Sequence, residues 1–270
     1  MAYLETEAGR CIYYEYNPGD KLPVALIHGW GMSCRLWDAV LPLLTGAGHA
    51  VVSFDQRGCG KSDKDFQDVS IRSAAADVVS LANHLRLGRL AVNGWSLGGA
   101  VAVEAAVRLG VRCAGVVSTC GATPRYTQAP DFPHGGAPGS VAETVALLRQ
   151  DRATFLHGLA YAICARPVSD AVKTWMWSVF MENAPSADRA LLDLDTLDQR
   201  AALRGLAVPL LSVVGGQDVI APPGIGRAAA ELAPKGTLAE FPESGHAPFI
   251  EETARYGKVL LEFLGTLGPR

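Results

Sequence analysis

One pentapeptide, Gly94-Trp95-Ser96-Leu97-Gly98, constrains the fold of this chain more than any other segment. It stands where a short apolar strand pattern, residues 90–93, passes directly into an apolar helical pattern, residues 97–109. A serine at such a point can be an ordinary helix N-cap. An N-cap does not need a glycine two residues away on both sides, whereas a strained serine backbone does. The spacing therefore predicts a strand–turn–helix elbow that presents a nucleophilic hydroxyl, with the N-cap as the alternative.

Short strand patterns alternate with helical patterns on both sides of this elbow. The strand patterns cover residues 22–27, 50–54, 90–93, 111–118, 208–214 and 237–241. The helical patterns between and after them cover residues 70–87, 97–109, 225–232 and 251–264. Such alternation predicts an α/β fold with a mostly parallel central sheet flanked by helices. A chain of 270 residues, 49% of them hydrophobic, is large enough to bury such a core.

The alternation stops between residues 121 and 204. This segment opens with a loop rich in proline and glycine, followed by helical patterns at 141–150, 152–165, 169–183 and 187–200. Strand patterns resume after it, so the segment interrupts a single sheet. We therefore predict an inserted helical cap at residues 121–204 and a core made of residues 1–120 and 205–270.

Composition and charge exclude several classes of partner. The net charge is −3 and no run of Lys or Arg is present, which disfavours nucleic acid and acidic membrane surfaces. The first residues lack the features of a secretory leader, and no apolar stretch is long enough for a transmembrane helix. The six cysteines are scattered, as is usual for reduced thiols. We expect a cytoplasmic protein with no nucleic-acid or membrane partner.

Two later loops carry the groups that a serine nucleophile needs. A serine hydroxyl attacks well only when a base removes its proton and a third group orients that base. Asp218 follows the strand pattern 208–214, and His246 follows the strand pattern 237–241. On this kind of elbow the acid and then the histidine come after the serine. We predict Ser96 as nucleophile, His246 as base and Asp218 as orienting acid; the alternatives are a helix N-cap for Asp218 and a surface loop for His246.

An early glycine-rich loop, residues 28–31, is predicted to complete the site. Acyl transfer develops negative charge on an oxygen, and two backbone amides usually bind it. One donor should be the amide of Leu97, which follows the nucleophile, and the other an amide from a loop after an early strand. Glycines flank Trp30 and permit an unusual backbone path there. We predict Leu97 and Trp30 as the oxyanion hole.

Large apolar side chains in the predicted cap are candidates for substrate binding. Residues 174–181 are dense in such side chains, which could form a wall for an acyl chain or could simply hold the cap on the core. The predicted substrate-binding residues are Trp30, Trp95, Trp175, Trp177 and Phe180. Three arginines could meet an acidic partner such as a carrier protein, or could belong to solvated helix faces: Arg149, Arg152 and Arg166.

Five motifs together resemble the serine esterases of the α/β-hydrolase family over nearly the whole chain. They are H-G-W-G (28–31), D-Q-R-G-C-G-K-S (55–62), G-W-S-L-G-G (94–99), G-Q-D (216–218) and G-H-A-P-F (245–249). The first, third and fifth are similar to those of pimeloyl-carrier-protein methyl ester esterases, and related signatures occur in acyl-homoserine-lactone hydrolases and 3-oxoadipate enol-lactonases. The second differs from the D-x-P-G-x-G of the biotin-pathway esterases. Its form is widespread in other esterases, lactonases and cofactor-free haloperoxidases.

The resemblance implies hydrolysis of a small carboxylic ester or lactone through an acyl-enzyme, without metal or cofactor. An acyl carrier protein is a further partner that it suggests. Serine at position 96, rather than the aspartate of haloalkane dehalogenases and epoxide hydrolases, favours acyl over alkyl chemistry. The remaining alternatives are a carbon–carbon bond hydrolase, a cofactor-free haloperoxidase and a receptor-like binder with slow turnover.

Overall fold

Eight strands form a single sheet in the computed structural model, which describes residues 2–268. They are β1 (Ala2–Glu7), β2 (Arg10–Asn17), β3 (Lys21–Ile27), β4 (His49–Phe54), β5 (Leu90–Trp95), β6 (Cys113–Thr119), β7 (Leu210–Gly215) and β8 (Gly236–Phe241). Their order across the sheet is β1-β2-β4-β3-β5-β6-β7-β8. Strands β3 to β8 run parallel, and β1 and β2 are antiparallel to their neighbours. The prediction of a mostly parallel sheet is confirmed.

The helices that follow the strands cover this sheet. They are α1 (Leu41–Gly46), α2 (Ile71–His84), α3 (Leu97–Leu109), α4 (Ser140–Gln150), α5 (Arg152–Ala162), α6 (Asp170–Met181), α7 (Arg189–Thr196), α8 (Arg200–Arg204), α9 (Pro223–Leu232), α10 (Pro248–Glu251) and α11 (Thr253–Gly265). Helix α3 packs on β5, β6 and α2, α9 packs on β7 and β8, and α1 packs on β4 and α11. Every residue of β5 is buried, as are most residues of α3. Strands buried on both faces read as continuous apolar runs, which is why the sequence revealed them.

The N-terminal hairpin, β1 and β2, was not predicted. Its residues are mostly half-buried, and charged and aromatic residues alternate in it without a clean apolar face. Pairing with β4 holds β2 in the sheet. Because β4 is distant in the sequence, the local residue pattern of the hairpin gives little sign of this pairing.

The helix predicted at residues 187–200 is wrong as a single element. A short 3₁₀ turn at Pro185–Asp188 leads into α7, the chain becomes extended at Leu197 (ψ 129°), and α8 is a separate turn. The break brings Gln199 onto the core: its amide nitrogen donates to the carbonyl of Ala100 and its oxygen accepts from the hydroxyl of Thr123. These contacts with distant residues outweigh the local helical pattern.

The inserted helices α4 to α8 lie between β6 and β7 in the chain. Helix α5 packs on α4 and α6, and α4 packs on α7. Helix α8 instead contacts α3 and α9, which are part of the predicted core. The boundaries of the cap at 121 and 204 therefore stay a prediction. Within residues 2–268, every helix is too short or too polar to span a lipid bilayer.

The carboxyl ends of the parallel strands lie along one edge of the sheet. The loop with Trp30 follows β3, Ser96 follows β5, Asp218 follows β7 and His246 follows β8. Crevices outside this edge are the usual ligand sites of open α/β sheets. The fold therefore brings residues far apart in sequence to one edge.

Candidate active site

Ser96 has a strained backbone at the junction of β5 and α3. Its φ is 57° and its ψ is −123°, a region that non-glycine residues rarely occupy and that costs about 1–3 kcal/mol. Its N–H donates to the carbonyl of Thr119, and its carbonyl accepts from the amides of Gly99 and Ala122. The side chain makes no capping hydrogen bond to α3. Ser96 therefore occupies the N-cap position of α3, but its hydroxyl does not act as a cap.

The glycines two residues away on either side are required by close backbone approach. A Cβ on Gly94 would overlap the carbonyl of Gly98, and a Cβ on Gly98 would overlap the carbonyls of Ile27 and His28. From the sequence, these glycines are expected to accommodate the strained backbone of Ser96. The structure adds that they let β5, α3 and the end of β3 touch one another.

Gly94→Ala is expected to destabilise the protein strongly, because backbone atoms on two elements must move apart. We expect a loss of about 3 kcal/mol or more in the free energy of unfolding, measured by urea denaturation. Gly158→Ala is the matched control, since Gly158 is an exposed residue inside α5 and a Cβ there meets nothing within 4 Å. That variant is expected to gain about 0.4–1 kcal/mol. Equal stability of Gly94→Ala and the wild type would contradict this account of the elbow.

Asp218 and His246 are bonded to each other and almost completely buried. The distance between His246 Nδ1 and Asp218 Oδ2 is 2.7 Å, and His246 is only 2% exposed. The other oxygen of Asp218, Oδ1, accepts from the amides of Ile220 and Ala221 at 2.8 and 2.9 Å. With Nδ1–H donating to the carboxylate, Nε2 is the nitrogen left to accept a proton. His246 is therefore not on the surface, and Asp218 both caps the next turn and orients the ring.

The loop around His246 is fixed from several sides. The amide of His246 donates to the carbonyl of Ile163 at 2.7 Å, and the indole N–H of Trp95 donates to the carbonyl of His246 at 2.7 Å. The carboxylate of Glu251 accepts from the amides of Gly245 and Ala247. It also accepts from the amides of Ala165 and Arg166 in the inserted segment. Glu251 was missed from sequence because nothing in the local pattern separates it from an ordinary helix-start carboxylate.

One pocket is lined by Ser96, Leu97, His246 and Trp30 together. It contains about 590 Å³ of empty space, part of it open to solvent. The remaining lining residues are apolar or uncharged, and most belong to the inserted segment: Tyr126, Thr144, Phe155, Leu159, Phe180 and Leu191 are examples. No Asp, Glu, Lys or Arg is among the described residues that line the pocket, and His246 is its one histidine. The pocket therefore suits an uncharged, apolar group beside a hydroxyl and an imidazole.

The loop after β3 is held rigidly beside Ser96. The indole N–H of Trp30 donates to the carbonyl of Ala187 at 3.1 Å, and the ring of Trp30 lies 6.1 Å from that of Phe180. His28 is buried, and its Nε2 accepts from the amide of Gln56 at 2.9 Å. Burial lowers the pKa of His28, so its imidazole stays neutral. The amide of Leu97 is in the first turn of α3, where N–H groups lack partners within the helix.

Trp175 and Trp177 do not line the pocket, in contrast to Trp30, Trp95 and Phe180. Helix α6 buries Met176, Val179 and Phe180, so the two tryptophans fall on the flanks of that face. The ring of Trp177 packs edge-on against His157 at 5.1 Å. The structure therefore does not bring Trp175 and Trp177 to the pocket. The alternative, that they hold the cap on the core, stays a prediction, since the ring contact of Trp177 is with His157 inside the inserted segment.

Cys120 lies beside the acid and base and was not predicted. Its backbone φ is +43°, and its sulfur, a carboxylate oxygen of Asp218 and a ring nitrogen of His246 lie within 4.8 Å of one another. Burial, together with the charge of Asp218, holds the pKa of the thiol well above its usual value. These ligand types could hold a metal ion, but the hydrogen bond from His246 to Asp218 already occupies two of them. The thiol of Cys120 is therefore neutral and packs against the carboxylate of Asp218.

The three arginines differ in their surroundings. Arg152 binds the buried carboxylate of Asp188 at 2.8 Å. Burial raises the pKa of Asp188, and Arg152 opposes that rise by stabilising the charged form. Arg149 and Arg166 are exposed. Arg152 thus has a structural partner inside the inserted segment.

This chain is similar in sequence and in fold to several known proteins. A family described as alpha/beta hydrolase fold matches residues 23–253. A pimeloyl-[acyl-carrier protein] methyl ester esterase from Klebsiella pneumoniae is 31% identical over 91% of this chain and 94% of its own. Among solved structures, an esterase from Exiguobacterium antarcticum superposes with a TM-score of 0.92 at 23% identity, covering 97% of this chain and 98% of its own. A bromoperoxidase from Bacillus anthracis superposes with a TM-score of 0.89 at 26% identity, covering 95% of this chain and 96% of its own.

Proposed function

The chain belongs to the α/β-hydrolase family, and on that premise we propose that it is a serine hydrolase that cleaves carboxylic esters. Ser96 is the nucleophile, His246 the general base and then acid, and Asp218 the group that orients the imidazole. One observation carries the proposal: a strained serine and a buried histidine, itself bonded to a buried carboxylate, line the same apolar pocket.

The reaction follows from the positions of these groups. Nε2 of His246 takes the hydroxyl proton of Ser96 as Oγ attacks the ester carbonyl carbon. The carbonyl oxygen becomes an oxyanion, which the amides of Leu97 and Trp30 stabilise by about 3–4 kcal/mol for each donor. His246 then gives its proton to the departing alcohol, leaving an acyl group on Ser96. A water molecule, deprotonated by His246, releases the acid and restores the serine.

The pocket indicates the class of substrate. Its apolar lining favours an ester whose acyl part is uncharged, because a buried charge without a partner would be costly there. The name of the Klebsiella pneumoniae relative suggests an acyl carrier protein as partner. Carrier docking would draw on basic side chains, and Arg152 is already bound to Asp188. We propose a small-molecule ester or lactone as the substrate of a cytoplasmic enzyme, with an acyl carrier protein as the alternative partner that the exposed Arg149 and Arg166 could meet.

A substrate panel tests this proposal. p-Nitrophenyl esters with acyl chains of two to twelve carbons, a γ-lactone and a perhydrolysis assay with acetate and peroxide cover the esterase, lactonase and peroxidase alternatives. We expect kcat/KM to be highest for an ester of intermediate acyl length and to exceed the lactone and perhydrolysis rates. If kcat/KM were higher for the lactone than for the esters, lactone hydrolysis would replace ester hydrolysis as the proposed function. The absence of any turnover above the enzyme-free rate would favour the receptor-like binder.

A further inference from the structure

A second cavity, the outer groove, adjoins the active-site pocket. It contains about 670 Å³ of empty space, including space open to solvent. Tyr126, Thr144, Leu191 and Ile220 line both cavities and form the neck between them. The outer groove continues from the neck to Gly135, Gly136, Ser140, Val141, Val219 and Pro222. These four shared lining residues make the two cavities direct neighbours.

The neck is held by a hydrogen bond between the inserted segment and the loop of the acid. The hydroxyl of Tyr126 donates to the carbonyl of Ile220 at 2.6 Å. The amide of Ile220 in turn donates to Asp218, which binds His246. Burial raises the pKa of Tyr126 to about 12, so the phenol keeps its proton at neutral pH. Tyr126 and Ile220 thus form a bridge at the histidine side of the pocket.

Glycines allow close backbone approach in the wall of the outer groove next to this bridge. Gly135 has a φ of +86°, and a Cβ on it would overlap the carbonyl of Tyr126. The amide of Gly136 donates to that same carbonyl at 3.2 Å. The groove wall near Tyr126 is therefore bare backbone. No Asp, Glu, Lys or Arg is among the described residues that line it, and its polar side chains are the hydroxyls of Tyr126, Ser140 and Thr144.

The direction of the reaction decides which part of a substrate would enter the neck. His246 must protonate the departing oxygen, so the alcohol lies on the histidine side of the pocket. We place the acyl group among the apolar side chains of the inner pocket, such as Phe155, Leu159 and Phe180. Ile220, one of the four neck residues, donates its amide to Asp218, the carboxylate that binds His246. The neck is therefore assigned to the departing alcohol.

We propose that the outer groove binds the alcohol part of the ester, and that Tyr126 limits the width of the alcohol that can pass. The substrates are then esters of an apolar acid with an uncharged, extended alcohol, in preference to methyl esters. This inference rests on the proposed esterase function and adds the class of alcohol to it.

Two variants test the inference by changing opposite ends of the path. Tyr126→Ala widens the neck, and Tyr161→Ala is its control because Tyr161 is an exposed residue of α5. Val219→Trp fills the outer groove, where Val219 is 76% exposed, and Val111→Trp is its control at a site that is 96% exposed. Because Val219 and Val111 are exposed, both tryptophan variants are expected to fold. Val219→Trp therefore tests the proposal even if Tyr126→Ala does not fold.

Activity is measured by pH-stat titration on methyl, octyl and cyclohexyl hexanoate, and separately on p-nitrophenyl esters of increasing acyl length. Tyr126→Ala is expected to raise the cyclohexyl-to-methyl ratio of kcat/KM about tenfold, and Val219→Trp to lower the octyl-to-methyl ratio about tenfold. The controls should keep the wild-type ratios. Shifts confined to the acyl series would overturn the assignment of the groove to the alcohol, as would unchanged ratios in both variants. Loss of the esterase function itself would show differently, as a wild type inactive on every ester.

Discussion

Ser96→Ala is expected to reduce kcat for ester hydrolysis by about 10⁴- to 10⁶-fold while leaving the fold intact. The substitution removes the atom that attacks the carbonyl, so no acyl-enzyme forms. Binding should persist, because the substitution leaves the pocket and the two proposed oxyanion donors, the amides of Leu97 and Trp30, unaffected. These groups would account for the remaining rate above that in water. Stopped assays with the best ester of the panel measure kcat, and thermal unfolding verifies that the protein is folded.

Ser178→Ala is the matched control for this prediction. The hydroxyl of Ser178 donates to the carbonyl of Trp175 within α6 and is remote from the pocket lining. We expect its kcat to equal that of the wild type. Ser96→Ala with more than a tenth of wild-type activity would mean that another group performs the attack, and the assignment of the nucleophile would fail.

Asp218→Asn is expected to lower kcat by about 10⁴-fold. The amide nitrogen of asparagine can donate to Nδ1 of His246, which would place the proton on Nε2 and leave no acceptor for the hydroxyl of Ser96. The substitution also removes the negative charge that stabilises the imidazolium form of His246. The shape of the side chain is preserved, and the amides of Ile220 and Ala221 keep an acceptor. KM should therefore change far less than kcat.

The control for Asp218→Asn is Asp170→Asn, an exposed carboxylate in the first turn of α6. It removes a negative charge from the protein without touching the imidazole and should leave kcat unchanged. A mild effect of Asp218→Asn, within about tenfold of wild type, would show that His246 does not depend on this carboxylate. Cys120, the neighbouring group, would then be examined as its partner.

The elbow and the six strands β3 to β8 could be predicted because their causes are local. Close approach of β5 and α3 demands glycines at 94 and 98, and strands buried on both faces demand unbroken apolar runs. Chain order then connected Asp218 and His246 to the ends of particular strands. Their choice rested on the base and acid that a serine nucleophile needs and on the order of serine, acid and histidine in the chain.

Features that depend on tertiary contact were not predictable in the same way. The face of α6 that turns inward places Phe180 at the pocket and Trp177 against His157, although the sequence presents them as one aromatic cluster. The bridge from Tyr126 to Ile220 joins residues 94 positions apart. Cys120 gave no signal, because its closeness to Asp218 arises only when β6 and β7 pair.

The most direct test of the central claim uses diethyl p-nitrophenyl phosphate, which phosphorylates an activated serine with release of p-nitrophenolate. Intact-protein mass spectrometry and peptide mapping locate the diethylphosphoryl group. We predict one group per chain, on the peptide that contains Ser96, absent from Ser96→Ala and formed much more slowly in Asp218→Asn. Label on a different residue, or an unlabelled protein that still hydrolyses esters, would contradict the account.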